Sequence, residues 1–200
     1  YILKNDVINC RKRTTHIINA MKPQDHSAFN IDTPIKYYYS DEFDTHGDEI
    51  LNYDETSDPN AYSTKKSTSG SSLRFGSLYD DLHLSLPYTK QTQLKIFKKY
   101  NYVKHLSEQL RIKLKQEPLS SISQDDFKKW LCYNELFLSV KNKLIEHNMK
   151  MLIFAVSRVL DRGYSHSLDQ DNVLSDCVLR MYSIVDNFDY RMNFQFSTYL

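Results

Sequence analysis

From Thr89 onward the apolar positions of the chain fall into three stripes. Leu94, Phe97, Tyr100 or Asn101, Val103, Leu106 and Leu110 recur in steps of three and four, the spacing that gathers side chains on one face of an α-helix. Thr89 stands before them as an N-cap, and Pro118 ends the run because it lacks the N–H a helix interior needs. A second stripe holds Trp130, Phe137, Val140, Leu144, Ile145, Met149, Leu152 and Val156. Ser123 and Asp126 open it as a capping box with Asp in place of Glu. No Gly or Pro follows until Gly163, where Arg162 and Gly163 supply a terminal cation and a stop. About forty residues of unbroken pattern is long for a globular helix, so a break or kink is expected near Ser139. The third helix opens at Ser167, with Gln170 completing its capping box. Its stripe is Val173, Leu174, Cys177, Met181, Ile184 and Val185, and Asp169, Asp171, Asp176 and Arg180 lie off it. It is expected to run to about Asn187. Ser197 stands as the N-cap of a further helix that the chain does not complete.

Residues 1–75 show no such period. A basic stretch around Arg11 to Arg13 has room for a short helix before Pro23. An acidic stretch follows, with Asp41, Glu42, Asp44, Asp48, Glu49, Asp54 and Glu55 and no basic residue among them. A small, polar run then has the composition of a linker. His46 between Asp44 and Asp48 has the makings of a metal cluster, but a solvated acidic loop accounts for the same residues without a rigid scaffold. A Tyr-rich acidic stretch is also suited to docking on a basic neighbour. The expected fold is all-α, an antiparallel helical bundle preceded by a largely disordered N-terminal segment. Three segments are expected: 1–75 flexible, 76–122 basic and helical, 123–200 a helical core.

Charge sharpens this picture locally rather than globally. The net charge is +1, which carries no bulk electrostatic signature. Yet Lys90, Lys95, Lys98, Lys99, Lys104, Arg111, Lys113 and Lys115 face only Glu108 and Glu117 over the first helix. Taken alone, that stripe reads as a solvated helix face or as a phosphate-binding one. No apolar run approaches the roughly 20 residues that span a bilayer, so no membrane partner is expected. No charged-then-apolar leader is present, so secretion is not expected either. The chain opens on Tyr1 rather than Met, as a fragment would. Cys10, Cys132 and Cys177 form no CxxC pair, which argues against a disulfide framework and a zinc site. A cytoplasmic location is the expectation.

No catalytic constellation emerges. There is no GxSxG, no glycine-rich phosphate loop and no HExxH. Neither an enzyme nor a cofactor is expected. The terminal stretch FDYRMNFQFSTYL, by contrast, places five aromatic residues among thirteen, beside Arg191, Ser197 and Thr198. Exposed Phe and Tyr rings stack unpaired bases, while nearby cations and hydroxyls hold phosphates. Rings that cap a core are the alternative for Phe188, Phe194 and Phe196, and that choice stands open for each one separately.

The segments NKLIEHNMKMLIFAVSRVLDRG and SLDQDNVLSDCVLRMYSIVDNFDYRMNFQFSTYL closely resemble the central region of bacterial sigma-70 family factors. FDYR together with FSTY carries that resemblance. SLYDDLHLSLPYTKQTQLKIFKKYNYVKHL is similar to the segment preceding it in the family, so residues 76–122 resemble region 1.2 and 123–200 resemble region 2. NYVK, VKNKLI and VLSD look most like the planctomycete-type branch, and TPIKYYYSDEFDTHGDEIL is similar to an acidic leader found there.

The resemblance implies a factor that binds core RNA polymerase and carries it to promoters. The third helix would dock on the clamp-helix coiled coil of the polymerase's largest subunit, through Asn172, Ser175, Asp176, Val178 and Tyr182. The aromatic segment would capture the non-template single strand of the minus-ten element as the duplex opens, through Phe194, Phe196, Thr198 and Tyr199. Tyr199 falls where the family stacks a flipped adenine. Arg191 is the cation of this segment, and Lys150 matches a basic position of the central helix. The stretch from Thr89 to Lys104, with Lys98 and Lys99, would lie along DNA just downstream of the minus-ten element.

Several positions depart from the family pattern. Cys177 and Val178 replace Gly-Asn within the polymerase contact. Asn193 replaces a usual Gly, a position where Asn accepts a left-handed turn. Gln195 replaces a frequent Lys. The chain ends before the tryptophan pair that reads the duplex edge. A rival function is a helical polymerase-binding adaptor that has lost promoter recognition.

Overall fold

The computed structural model describes residues 31–63, 86–116, 123–159 and 170–199. The expectations placed on Arg11 to Arg13, Cys10, Arg162, Gly163, Ser167 and residues 64–77 of the 61–77 linker lie outside these residues. The described chain is 76% helical and contains no strand; an isolated antiparallel bridge joins Tyr62 and Tyr88. The fold is all-α. Short helices α1 (Glu42–Thr45) and α2 (Gly47–Asn52) precede three long ones, α3 (Lys90–Gln116), α4 (Gln124–Val159) and α5 (Gln170–Asn187).

The local signals act where the sequence puts them. Thr89 caps α3, its Oγ1 lying 3.4 Å from the Thr92 N–H it accepts. The Ser123 carbonyl accepts the Phe127 N–H at 3.1 Å and so starts α4. The expected break near Ser139 does not occur, and α4 is helical without interruption from Gln124 to Val159. Apolar burial around Val140 and Leu144 holds it through a stretch longer than most globular helices.

The chain divides into two compact units, Tyr1–Asp54 with Lys98–Val140 and Glu55–Phe97 with Lys141–Leu200. Each draws on the leader, on α3 and on α4. In the first unit α3 and α4 run antiparallel: the Ser107 hydroxyl donates to Asn134 Oδ1 at 2.7 Å, and Lys113 pairs with Asp126 further along. Leu114, Trp130 and Leu131 form a buried cluster there, with Ile31, Leu110 and Phe127 against it. In the second unit α4 and α5 are antiparallel, joined by Lys141 and Asp186 at 2.6 Å. Ile96, Phe97, Leu144, Ile153, Met181, Val185 and Phe188 are buried in that unit.

Residues 31–63 differ from the loose leader that their composition suggests. Phe43, Ile50 and Ala61 are buried. The Ile35 N–H donates to Glu108 Oε2 at 2.9 Å and the Tyr38 N–H to Asn101 Oδ1 at 2.8 Å. Phe43 enters a ring cluster with Tyr37, Tyr39, Tyr102 and His105, its centroid 5.1 Å from Tyr102 and 5.7 Å from His105. The physical reason is that α3 carries polar groups for the leader backbone to bond and aromatic rings for its own rings to pack on. The acidic, Tyr-rich stretch is docked on the basic helix.

Candidate nucleic-acid interface

The terminal loop is built by a sequence of turns after α5. Phe188 is buried and anchors its start. Asp189 then caps a 3-10 turn, Tyr190–Met192, by accepting the Arg191 N–H at 3.1 Å. The same carboxylate takes the Arg191 guanidinium at 2.9 and 2.7 Å. Those charge-assisted bonds, opposed by burial, hold the Asp189 carboxyl below its ordinary range. Asn193 ends the turn at φ 54°, ψ 26°, the left-handed conformation expected of it. A second 3-10 turn, Phe196–Thr198, closes the loop.

These turns sort the rings into two groups. Phe194 and Tyr199 are 56% and 51% exposed, whereas Phe196 is fully buried. The Phe196 ring lies 5.2 Å from Phe97 and 5.2 Å from Phe188, edge-on to the latter at 88°. This corrects the expectation that Phe196 stacks a base: the ring has no free face, and its burial stabilises the loop by roughly 1.5–3 kcal/mol. Tyr199 packs perpendicular to Phe188, centroids 5.3 Å apart at 89°, so the ring is braced while half the residue stays open. Thr198 is exposed, its hydroxyl donating to the Gln195 carbonyl at 2.7 Å. Ser197 lies inside the second turn rather than capping a new helix.

The cations expected to hold phosphate are differently placed. Arg191 is exposed but engaged with Asp189. Lys150 is half-buried on α4. Lys98 pairs with Glu42 at 2.7 Å. Lys99 is buried and donates to the Tyr53 carbonyl at 2.8 Å. The acidic leader thus engages both lysines expected along DNA. Lys104 is likewise buried, its Nζ 4.8 Å from the Tyr100 ring centroid. Lys95 and Lys115 meet Asp58 and Asp32 at 3.6 and 3.1 Å.

The outer face of α5 gathers the residues assigned to the polymerase. Asn172, Ser175, Asp176 and Tyr182 are exposed, and steps of three and four put them on one side of the helix. Leu179 joins them, 67% exposed; its place seven residues beyond Asn172 was the available signal. Val178 is half-buried at the edge of that face, whereas Cys177, also half-buried, lies on the inner stripe one turn before Met181. Tyr182 is steadied by Lys141, whose Nζ lies 5.2 Å from the ring centroid, and its hydroxyl reaches Asn142 Oδ1 at 3.4 Å. Met181 and Val185 fill the inner side.

His46 is exposed and its Nδ1 lies 2.7 Å from Thr45 Oγ1. Among the described residues no three His, Cys, Asp or Glu side chains come together as a metal site, and no helix is long and apolar enough to cross a membrane. Gln93 and Asn148, both buried polar residues beneath the aromatic loop, carried no sequence signal, because an amide within a helical stripe looks like any solvated residue. No family model, curated protein or solved structure matches the chain.

Proposed function

We propose that the chain acts as a transcription initiation factor of the sigma-70 type, without chemistry of its own. The exposed side of α5, Asn172 to Tyr182, docks on core RNA polymerase at the clamp-helix coiled coil of its largest subunit. Phe194 and Tyr199 stack bases of the non-template minus-ten strand, replacing stacking lost as the duplex opens. The observation that carries this reading is the sorting of the terminal rings. Phe196 is spent on the core, while Phe194 and Tyr199 are left open on the same short loop, where a purely structural loop would bury its aromatic surface.

One observation favours a second reading, a polymerase-binding adaptor without promoter capture. Lys98 and Lys99 are engaged by the leader, which leaves fewer cations for phosphate. A pull-down of bacterial core polymerase with this chain, followed by crosslinking to a single-stranded minus-ten oligonucleotide, separates the two. Retention of both partners supports the initiation factor. Retention of the polymerase alone supports the adaptor, and loss of both overturns the assignment.

A further inference from the structure

A directed chain of hydrogen bonds ties the aromatic loop to the helices beneath it. The Phe196 N–H donates to Gln93 Oε1 at 3.2 Å. Gln93 Nε2 donates to Asn148 Oδ1 at 3.1 Å, and Asn148 Nδ2 donates to the Leu144 carbonyl at 2.6 Å. Gln93, Asn148 and Phe196 are all buried. The direction is set at both ends by backbone groups that cannot reverse, an N–H at Phe196 and a C=O at Leu144. Each intermediate side chain must therefore accept on one side and donate on the other, which a primary amide does and a carboxylate does not. Resting on the strand-capture reading above, we infer that Gln93 is a positioning residue for the aromatic loop: it fixes the Phe196 backbone and thereby the directions in which Phe194 and Tyr199 face a single strand.

The alternative is that the ring of Phe196 alone holds the loop, through Phe97 and Phe188. Ring packing is weakly directional, since a phenyl group rotates about its own axis within such a pocket. A backbone N–H bonded to a helical side chain fixes the peptide plane as well. Three residues further on, Tyr199 inherits that orientation through its own N–H bond to the Phe196 carbonyl at 2.9 Å. Phe194 lies two residues before it, between the left-handed Asn193 and the fixed peptide. Both open rings are thus referenced to α3 and α4 through the amide of Gln93.

Hydrogen exchange resolved to single amides in the whole chain tests this, together with binding of a fluorescent single-stranded minus-ten oligonucleotide. In the unsubstituted protein the Phe196 amide is protected well beyond that of Phe194; equal, rapid exchange at the two overturns the proposal without any variant. Gln93→Met keeps volume and removes both bonds, and Gln93→Glu keeps the acceptor and removes the donor. Gln93→Met is expected to speed Phe196 exchange about tenfold, with Val185 and Met181 in α5 unchanged, and to weaken oligonucleotide binding by a similar factor. Gln93→Glu, which still accepts from the Phe196 N–H, is expected to leave that amide protected. Unchanged Phe196 exchange in Gln93→Met overturns the proposal. So does faster exchange with unaltered oligonucleotide binding. Protection of Phe196 that depends on Gln93, with no oligonucleotide bound by the unsubstituted chain, overturns strand capture instead and leaves Gln93 as the residue holding the loop.

Discussion

Lys98 Nζ lies 2.7 Å from Glu42 Oε2, an ion pair between residues 56 positions apart. Around it, Lys99 bonds the Tyr53 carbonyl, Arg111 Nη1 bonds the Ile31 carbonyl at 2.7 Å, and Lys115 meets Asp32. The acidic leader and the basic helix neutralise each other in place, which is how a net charge of +1 conceals two strongly charged segments. An exposed pair of this kind contributes about 0–1 kcal/mol, so no single one holds the leader. The buried Glu108–Arg111 pair does more. It is bidentate at 2.7 Å for both bonds, and its spare groups take the Ile35 N–H and the Ile31 carbonyl.

Glu108→Gln strands a buried guanidinium, and is expected to destabilise the protein by about 3–5 kcal/mol, read as a lower urea midpoint. Replacing both partners by apolar residues, Glu108→Leu with Arg111→Met, is expected to recover most of that loss. Acid probes the same pair. Burial pushes the Glu108 carboxyl up, but the Arg111 and Ile35 bonds outweigh it and bring it below its ordinary 4.5. Its contribution is therefore complete above that value and is lost as pH falls through the lower, folded one. A urea series in acid should show this step in the unsubstituted chain and not in the double variant.

His105 titrates at higher pH and belongs to the ring cluster of Tyr37, Tyr39, Phe43 and Tyr102. Burial lowers its pKa below the ordinary 6.5, against a smaller opposing pull from Asp44. The folded state then binds fewer protons than the unfolded one, so the cluster is fully stable above 6.5 and weakens as pH falls below it. Near-ultraviolet circular dichroism of the tyrosines should decline over that interval, and His105→Phe should remove the dependence.

Gly47 opens α2 against Tyr102. A Cβ placed there would meet the Tyr102 hydroxyl in overlap and its Cζ at 2.8 Å. Gly47→Ala is expected to cost about 1–3 kcal/mol in thermal or urea unfolding, with Tyr102→Phe restoring part of the loss by removing the oxygen.

Asp176 is exposed on the outer side of α5. Asp176→Arg should leave the melting temperature unchanged and abolish retention of core polymerase, since reversing a charge within an interface leaves it opposed rather than paired. Normal assembly by that variant would place the docking surface elsewhere.

The long helices were legible because their apolar stripes repeat, and α3 also because Thr89 caps it as its type dictates. The packing of residues 31–63 was not. Two of its anchors, Phe43 and Ile50, sit in helices of four and six residues, too short to show a period, and the third, Ala61, lies outside any helix. Its partners on α3 are polar, with Asn101, His105, Glu108 and Arg111 buried, so the helix looked half solvated where it is covered. The terminal rings were legible as a group and not one by one. Phe194 and Phe196 differ in fate although one residue separates them, a difference that composition does not carry.

Fluorescence anisotropy of a single-stranded minus-ten oligonucleotide, titrated with the polymerase-bound chain, tests strand capture most directly. Phe194→Ala and Tyr199→Ala are each expected to weaken binding by about 1–3 kcal/mol, roughly five- to 150-fold, with polymerase retention unchanged. Equal affinity in the unsubstituted protein and in the variant carrying both Phe194→Ala and Tyr199→Ala would contradict the account, because the two open rings would then have no strand to hold.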